Sequence, residues 1–144
     1  MATASGETEY SEGPLLVDGL LERRSYQLSL AETAATDHTL VCLPTGLGKT
    51  AVSLLVTAER LAEHGGTSLL LAPTKPLVQQ HADFYREALS VDDDDIVVFT
   101  GAVRPDDRAD LWESARVVCA TPQVIENDLV GNRISLADVT HLTF

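Results

Sequence analysis

Short apolar runs alternate with amphipathic stretches along most of the chain. The apolar runs predict buried strands, because near-continuous apolar strands are typical of sheets that are covered on both faces. These strands are expected at residues 39–43, 68–72, 96–100, 116–120 and 139–144. Apolar residues between them recur with helical spacing, which predicts helices at 16–34, 49–63, 76–89, 105–114 and 122–129. The alternation predicts an α/β domain with a mainly parallel sheet and helices on both faces.

The length and composition fit one globular domain. The chain has 144 residues, of which 44% are hydrophobic and 22% charged, and this excludes a mainly disordered chain. Residues 1–13 are small, polar and acidic, so we expect a flexible tail there and the domain at 14–144. No apolar run approaches the ~20 residues that a membrane helix needs. The start has no basic and apolar blocks like those of a secretory leader, so we expect a cytoplasmic protein.

The charge balance is strongly acidic. The net charge is −12, and Lys49 and Lys75 are the two lysines of the chain. An acidic surface poor in lysine suits a salt-rich cytoplasm, because ions screen the self-repulsion that would destabilise the fold. The composition therefore favours a halophilic host over an ordinary acidic protein.

The cysteines and histidines give no sign of a metal site. Cys42 and Cys119 each lie in a short apolar run and are expected to be buried. Neither their spacing nor that of the four scattered histidines matches a zinc motif.

The strongest candidate for chemistry is a glycine-rich loop between the first predicted strand and the next helix. It comprises Pro44, Thr45, Gly46, Leu47, Gly48, Lys49 and Thr50. Such a loop directs backbone N–H groups at phosphate oxygens, and the helix N-terminus adds partial positive charge. Lys49 can reach the β- and γ-phosphates of ATP, and the Thr50 hydroxyl can ligate Mg²⁺, so we expect both to be catalytic. Leu43 occupies the place of the first glycine in the strict P-loop pattern. The alternative is a turn that merely joins a strand to a helix.

Four further segments, taken with this loop, resemble the motifs of superfamily 2 helicases. Residues 24–27 (Arg-Ser-Tyr-Gln) resemble the Q motif, and 72–78 (Ala-Pro-Thr-Lys-Pro-Leu-Val) resemble motif Ia. Residues 99–101 (Phe-Thr-Gly) match the short Thr-Gly motif, and 120–123 (Ala-Thr-Pro-Gln) resemble motif Ib. The sequences of these motifs are most similar to those of archaeal Hef and of the Fanconi anaemia M-type helicases. The resemblance extends over residues 14–144.

The resemblance implies a RecA-like ATP-binding domain from an ATP-dependent DNA helicase or translocase that acts on forked or branched DNA in repair. Gln27 would then read the adenine edge, with Tyr26 or Arg24 stacking on the ring; the alternative is that the latter two only pack on a helix surface. The implied contacts to one DNA strand are Thr74, Lys75, Thr100, Gly101, Thr121 and Pro122. Thr121 and Pro122 could equally serve as a helix N-cap and first turn.

One part of the family's machinery is missing from the sequence. The strand predicted at 139–144 has the apolar pattern of the strand that carries the acidic motif II in these helicases, yet no Asp or Asp-Glu follows it. The resemblance also implies a second RecA-like domain, a nuclease region in Hef, and a motif III strand between the P-loop and motif II strands. We therefore expect no helicase-like ATP turnover by this chain alone, and a marginal fold whose sheet has a gap or unpaired edges.

Two other functions remain open at this point. The chain could be a stand-alone module that binds nucleotide or DNA without turnover. It could also be another P-loop enzyme such as a small kinase, which would need an acceptor site and a lid.

Overall fold

A four-stranded parallel sheet forms the centre of the computed structural model, which describes residues 8–44, 46 and 48–144. The strands are β1 (Thr67–Leu71), β2 (Ile96–Phe99), β3 (Val117–Ala120) and β4 (Val139–Thr143), in the order β2-β3-β1-β4. Leu69 of β1, Val118 of β3 and Val97 of β2 lie side by side in this register. The predicted parallel α/β fold is confirmed.

Five helices surround the sheet within the described residues. They are α1 (Ser25–Thr36), α2 (Lys49–His64), α3 (Lys75–Ala88), α4 (Pro105–Ser114) and α5 (Pro122–Val130). Short 3-10 turns at Asp93–Asp95 and Leu136–Asp138 lead into β2 and β4. The predicted helices at 49–63, 76–89, 105–114 and 122–129 agree with α2 to α5 within one residue at each end.

The two faces of the sheet carry two separate apolar cores. On β3, Val117 and Cys119 point to the core formed with α2 and α3, whereas Val118 and Ala120 point to the core with α4 and α5. All four of these residues are fully buried. The alternation follows from the two-residue period of a strand. Helix α1 packs outside α2 through a third apolar cluster.

The predicted helix at 16–34 is wrong in its first half. Helix α1 begins at Ser25, and the Leu16 segment instead pairs with the end of α3, where the Val17 N–H donates to the Ala88 carbonyl at 2.9 Å. Gly19 has a φ of +73°, a left-handed conformation that interrupts a right-handed helix. The helical spacing of apolar residues in this segment therefore runs across a turn and does not mark a continuous helix.

The predicted strand at 39–43 is also wrong, because this run is not part of the sheet. Val41 and Leu43 pack against the cluster of α1 and α2, while Leu40 is 87% exposed. Cys42, expected to be buried, is exposed, whereas Cys119 is buried as predicted. Burial raises the pKa of the Cys119 thiol to about 12. Within the described residues β4 pairs with β1 alone, which leaves β4 at an edge of the sheet.

The described part of the predicted tail at 1–13 pairs with the segment that leads into α1. The first seven residues of the tail lie outside the described residues. Beyond them, the Ser11 N–H donates to the Leu21 carbonyl at 2.7 Å and the Arg23 N–H donates to the Glu9 carbonyl at 2.7 Å. Ser11 is buried, so residues 9–11 are held against the chain that leads into α1. No helix of the described chain has both the length and the apolarity to cross a membrane.

Gly66 controls the turn from α2 into β1, and Gly66→Ala is expected to destabilise the fold. Its φ is +70°, and an added Cβ would lie 2.5 Å from the backbone oxygen of Asp138 and 2.7 Å from the Thr140 methyl carbon. Backbone strain of this kind costs about 1–3 kcal/mol, and the overlap with the chain entering β4 adds to it. Gly19→Ala is the matched control, since Gly19 has a φ of +73° with nothing within 4 Å of the added Cβ. Urea unfolding of both variants measures the difference; equal losses would show that the contact with residue 138 has no effect.

Candidate nucleotide and nucleic-acid site

The glycine-rich loop leads into an open helix N-terminus. Gly46 and Gly48 have φ values of +88° and +80°, and Gly48 is the N-cap of α2. No side chain of the described residues caps this end, which leaves the first-turn N–H groups directed outward. The Lys49 side chain is exposed and forms no ion pair with any described residue. This arrangement suits a phosphate group. Thr45 and Leu47 lie outside the described residues.

Helix α2 directs this end toward the carboxyl edge of the sheet. It packs on β1 and β4 and then enters the amino end of β1 through Gly65 and Gly66. A helix of 16 residues spans about 24 Å, longer than the sheet strands. Its N-terminus therefore lies at the opposite edge, where the strands end.

The residues predicted to bind adenine lie at the start of α1, beside the loop. Gln27 is buried, and its side-chain N–H donates to the Gly48 carbonyl at 3.4 Å. A Cβ on Gly48 would lie 2.3 Å from that amide nitrogen, so only glycine allows the approach. Arg24 is the N-cap of α1 and pairs with Glu22 at 3.3 Å on the surface, and Tyr26 is 37% exposed. The structure thus brings the Q-motif segment and the P-loop together.

The residues predicted to bind nucleic acid follow three neighbouring strands. Thr100 and Gly101 follow β2, Thr121 and Pro122 follow β3, and Thr74 and Lys75 follow β1. Since the strand order is β2-β3-β1, these pairs lie in a row along the carboxyl edge. Six candidate positions from three separate segments are thereby brought to one side of the domain.

Local hydrogen bonds define the shape of each pair. The Thr74 hydroxyl accepts from the Leu77 N–H at 3.4 Å and caps α3, with the exposed Lys75 as the first residue of that helix. The buried Thr100 hydroxyl accepts from the Ala102 N–H at 3.3 Å and closes a turn. Thr121 is the N-cap residue of α5, but its side chain caps no N–H among the described residues. Gly101 and Pro122 are exposed.

The donor set fits ATP better than a metal held by protein alone. Among the described residues no cluster of three His, Cys, Asp or Glu side chains could hold a metal ion. The Thr50 hydroxyl, in the first turn of α2, is the group at the loop that fits Mg²⁺ bound together with phosphates. Mg²⁺ commonly takes one or two protein ligands plus substrate phosphates, so the loop is compatible with Mg·ATP.

A partly buried polar network lies behind α2, the helix that follows the glycine-rich loop, and was not predicted. It joins α2 to α3, β1 and β4 through Ser53, Thr57, Tyr85, Ser68, His141 and Thr143. The His141 Nδ1 lies 2.9 Å from the Ser68 hydroxyl, and its Nε2 lies 3.2 Å from the Thr143 hydroxyl. Burial, with a smaller effect of the positive Arg60, lowers the pKa of His141 to about 4. Burial also raises the pKa of Tyr85 to about 12, so both groups are neutral at pH 7.

A buried ion pair between α4 and α5 was also not predicted. Arg108 of α4 donates from Nε and Nη2 to the two carboxylate oxygens of Asp128 in α5, each at 2.7 Å. Asp128 is completely buried and Arg108 is 6% exposed. Hydrogen bonding to Asp128 raises the pKa of Arg108. The sequence could have indicated this pair, because each charged residue lies on an apolar face of its helix. Asp128 shares a helical face with Val124 and Ile125, and Arg108 shares one with Trp112.

Comparison with known proteins shows the family. The DEAD/DEAH box helicase model matches residues 24–144. A protein of Methanocaldococcus jannaschii that is named an ATP-dependent RNA helicase is 42% identical over 93% of this chain. The DEAD-box ATP-dependent DNA helicase Fancm of Drosophila melanogaster is 39% identical over 76% of it. The crystal structure of the Pyrococcus furiosus Hef helicase domain matches with a TM-score of 0.81 and 44% identity over 83% of this chain.

The chain spans a small part of each of these proteins. It covers 18% of the Methanocaldococcus protein, 8% of Drosophila Fancm and 25% of the Hef helicase-domain chain. The predicted resemblance to Hef and Fanconi anaemia M-type helicases is confirmed, as is the RecA-like fold. On the extent of the family match and on these identities, the chain belongs to the DEAD/DEAH box helicase family.

Proposed function

We propose that this chain is the first RecA-like domain of an ATP-dependent DNA helicase or translocase, and that it binds Mg·ATP and one DNA strand. One observation carries the proposal: the left-handed Gly46 and Gly48 open the N-terminus of α2 at the edge where three candidate contact segments lie in a row. Phosphate recognition and strand recognition then share one edge of the sheet.

In this proposal the loop and the start of α1 hold the nucleotide. Backbone N–H groups from Thr45 to Gly48 surround the phosphates, Lys49 pairs with the β- and γ-phosphates, and Thr50 ligates Mg²⁺. Gln27 reads adenine, and Tyr26 or Arg24 stacks on the ring. Bound Mg²⁺ would neutralise charge that develops on the phosphates. Hydrolysis of ATP also needs a carboxylate near the metal. We therefore propose that the chain alone binds ATP without efficient turnover.

The proposed contacts to DNA are mostly neutral. Thr74, Thr100 and Thr121 supply hydroxyls, Gly101 an N–H group, and Lys75 the one cation among the six candidates. A chain of net charge −12 repels DNA, and ion-pair affinity falls steeply with salt. Hydroxyl and N–H donors to phosphate grip a strand without reading its sequence, which suits a translocase on forked or branched DNA.

The wider setting is also proposed. We propose a cytoplasmic protein of a halophilic archaeon, because the chain is acidic with two lysines and its sequence is similar to that of archaeal Hef. The proposed partners are DNA, a second RecA-like domain and, by analogy with Hef, a nuclease domain.

Lys49→Ala is expected to weaken ATP binding by about tenfold or more, because it removes the cation that faces the β- and γ-phosphates. The measurement is titration of the chain with a fluorescent ATP analogue in the presence of Mg²⁺. Lys75→Ala is a matched variant, since Lys75 is also exposed and also begins a helix. It should leave ATP affinity unchanged and weaken binding of single-stranded DNA, with the salt slope reduced by about one. Equal ATP affinity of wild type and Lys49→Ala would overturn the proposed nucleotide site.

A stand-alone binding module without turnover is the second candidate. It needs only the open N-terminus of α2, which can hold phosphate groups without a catalytic carboxylate. ATP hydrolysis by this chain that DNA stimulates in molar KCl would exclude it. ATP binding that persists without hydrolysis after addition of a second RecA-like domain would support it.

A further inference from the structure

The Arg108 guanidinium occupies a junction between three segments. Two of its nitrogens bind Asp128 in a parallel pair of hydrogen bonds, and the third, Nη1, donates to the Val103 carbonyl. Arg133 adds a weaker contact of 3.4 Å to the same carboxylate. Arg108 therefore ties the loop after β2 to helix α5, although its own helix is α4.

The loop that Arg108 holds is the Thr100–Gly101 segment. The Val103 N–H donates to the Thr100 carbonyl at 3.1 Å, and the Thr100 hydroxyl accepts from the Ala102 N–H, so residues 100–103 form one closed turn. Gly101 is exposed at its tip, with open space around it. Fixing the Val103 carbonyl thus fixes the orientation of the Gly101 and Ala102 N–H groups.

The carboxylate that holds Arg108 belongs to the helix that begins with the next candidate pair. Thr121 and Pro122 start α5, and Asp128 lies in the same helix. The two segments are also joined directly, because the Thr121 N–H donates to the Phe99 carbonyl at 3.4 Å. The ion pair is a second and firmer link, with charged partners and almost no exposure to water.

We propose that the Arg108–Asp128 pair is a positioning device for nucleic acid: it sets the Thr100–Val103 turn against the start of α5 so that both grip one phosphate backbone. The proposal rests on the proposed function. Hydroxyl and N–H donors are directional, and their bonds weaken steeply with angle. In a chain of net charge −12, the single proposed cationic contact of Lys75 does not compensate for misplaced donors. A buried ion pair is weak evidence for stability, whereas fixing one geometry is a use that such pairs can have.

The test is binding of a 5′-labelled deoxythymidine oligonucleotide of about a dozen bases by the full chain, measured by fluorescence anisotropy over a range of salt. The variant is the double substitution Arg108→Met with Asp128→Leu, which removes the clamp without leaving a buried charge. The expected result is a loss of affinity of about tenfold with unchanged ATP binding. Amide exchange at Ala102 and Val103 should become faster. The salt slope should stay the same, because neither residue is proposed to contact a phosphate.

Two further variants keep the test decisive. Arg60→Met is the control, because Arg60 binds the Thr140 and Ala35 carbonyls at a distance from this edge; it should leave DNA affinity unchanged. Arg108→Lys keeps the charge but cannot hold both carboxylate oxygens and the Val103 carbonyl, so it should also weaken DNA binding. Arg108→Lys takes the place of the double variant in this test if the double variant does not fold.

Each outcome decides one question. Unchanged DNA affinity in both Arg108 variants overturns the positioning role and leaves the proposed function intact. A lower affinity with a salt slope reduced by about one shows that Arg108 binds phosphate itself, which also overturns the role. Absence of binding by the wild-type chain at low salt overturns the proposed DNA contacts and this inference together.

Discussion

Asp128→Ala is expected to lower the free energy of unfolding by about 3–5 kcal/mol, because it leaves a buried guanidinium without its anion. Arg108 has 7% of its side chain exposed and would lose both of its 2.7 Å bonds to the carboxylate. Removal of one partner from a buried pair is costly, whereas apolar replacement of both is often close to neutral. The free energy of unfolding of the double variant, Arg108→Met with Asp128→Leu, should therefore lie within about 1 kcal/mol of the wild-type value.

Urea denaturation followed by Trp112 fluorescence measures these differences. Glu9→Ala is the matched control, because Glu9 pairs with Arg23 at 3.7 Å and both side chains are more than half exposed. An exposed pair of this kind contributes about 0–1 kcal/mol. A similar loss in Asp128→Ala and in the double variant would contradict the argument, since it would assign the effect to packing rather than to an unpaired charge.

The parts of the fold that were predictable depend on local pattern alone. Strands β1, β2 and β3 are apolar on both faces, so their residues could be read as buried without knowledge of their neighbours. The strand expected at 39–43 failed because apolar character does not reveal whether a partner strand is present. The helix expected at 16–34 failed because its apolar spacing runs through Gly19, whose left-handed φ depends on the turn.

The candidate site divides in the same way. The open end of α2 follows from Gly46, Gly48 and Lys49, which are adjacent in sequence and meet a local backbone requirement. The row of contact segments requires the strand order, in which β3 lies between β2 and β1. The Arg108–Asp128 pair joins two residues that are 20 positions apart in the sequence, and only the place of each charge on an apolar helix face indicates it. Local pattern thus predicts the glycine-rich loop, whereas tertiary packing determines how the three candidate contact segments are held.

The second large effect concerns pH and His141. Its pKa in the folded chain is lowered from 6.5 to about 4, first by burial and then by the charge of Arg60. The unfolded chain therefore takes up a proton first as the pH falls. The stability contributed by the neutral imidazole is present above pH ~6.5 and is lost progressively between pH ~6.5 and ~4. We expect a loss of about 2–3 kcal/mol over that interval, from 1.36 kcal/mol per pKa unit.

The experiment compares His141→Gln with the wild type by urea unfolding at several pH values between about 4 and 7. The difference between the two profiles isolates the imidazole, because the aspartates, and His81 with its own pKa lowered by burial, remain in both chains. The His141→Gln profile should be flatter over the whole interval, although the variant is less stable at pH 7 through lost bonds to Ser68 and Thr143. His38→Gln, at an exposed position outside this network, is the matched control. Parallel profiles for wild type and His141→Gln would show that His141 accepts a proton without disturbing the network behind α2, and that the P-loop helix does not depend on a neutral imidazole there.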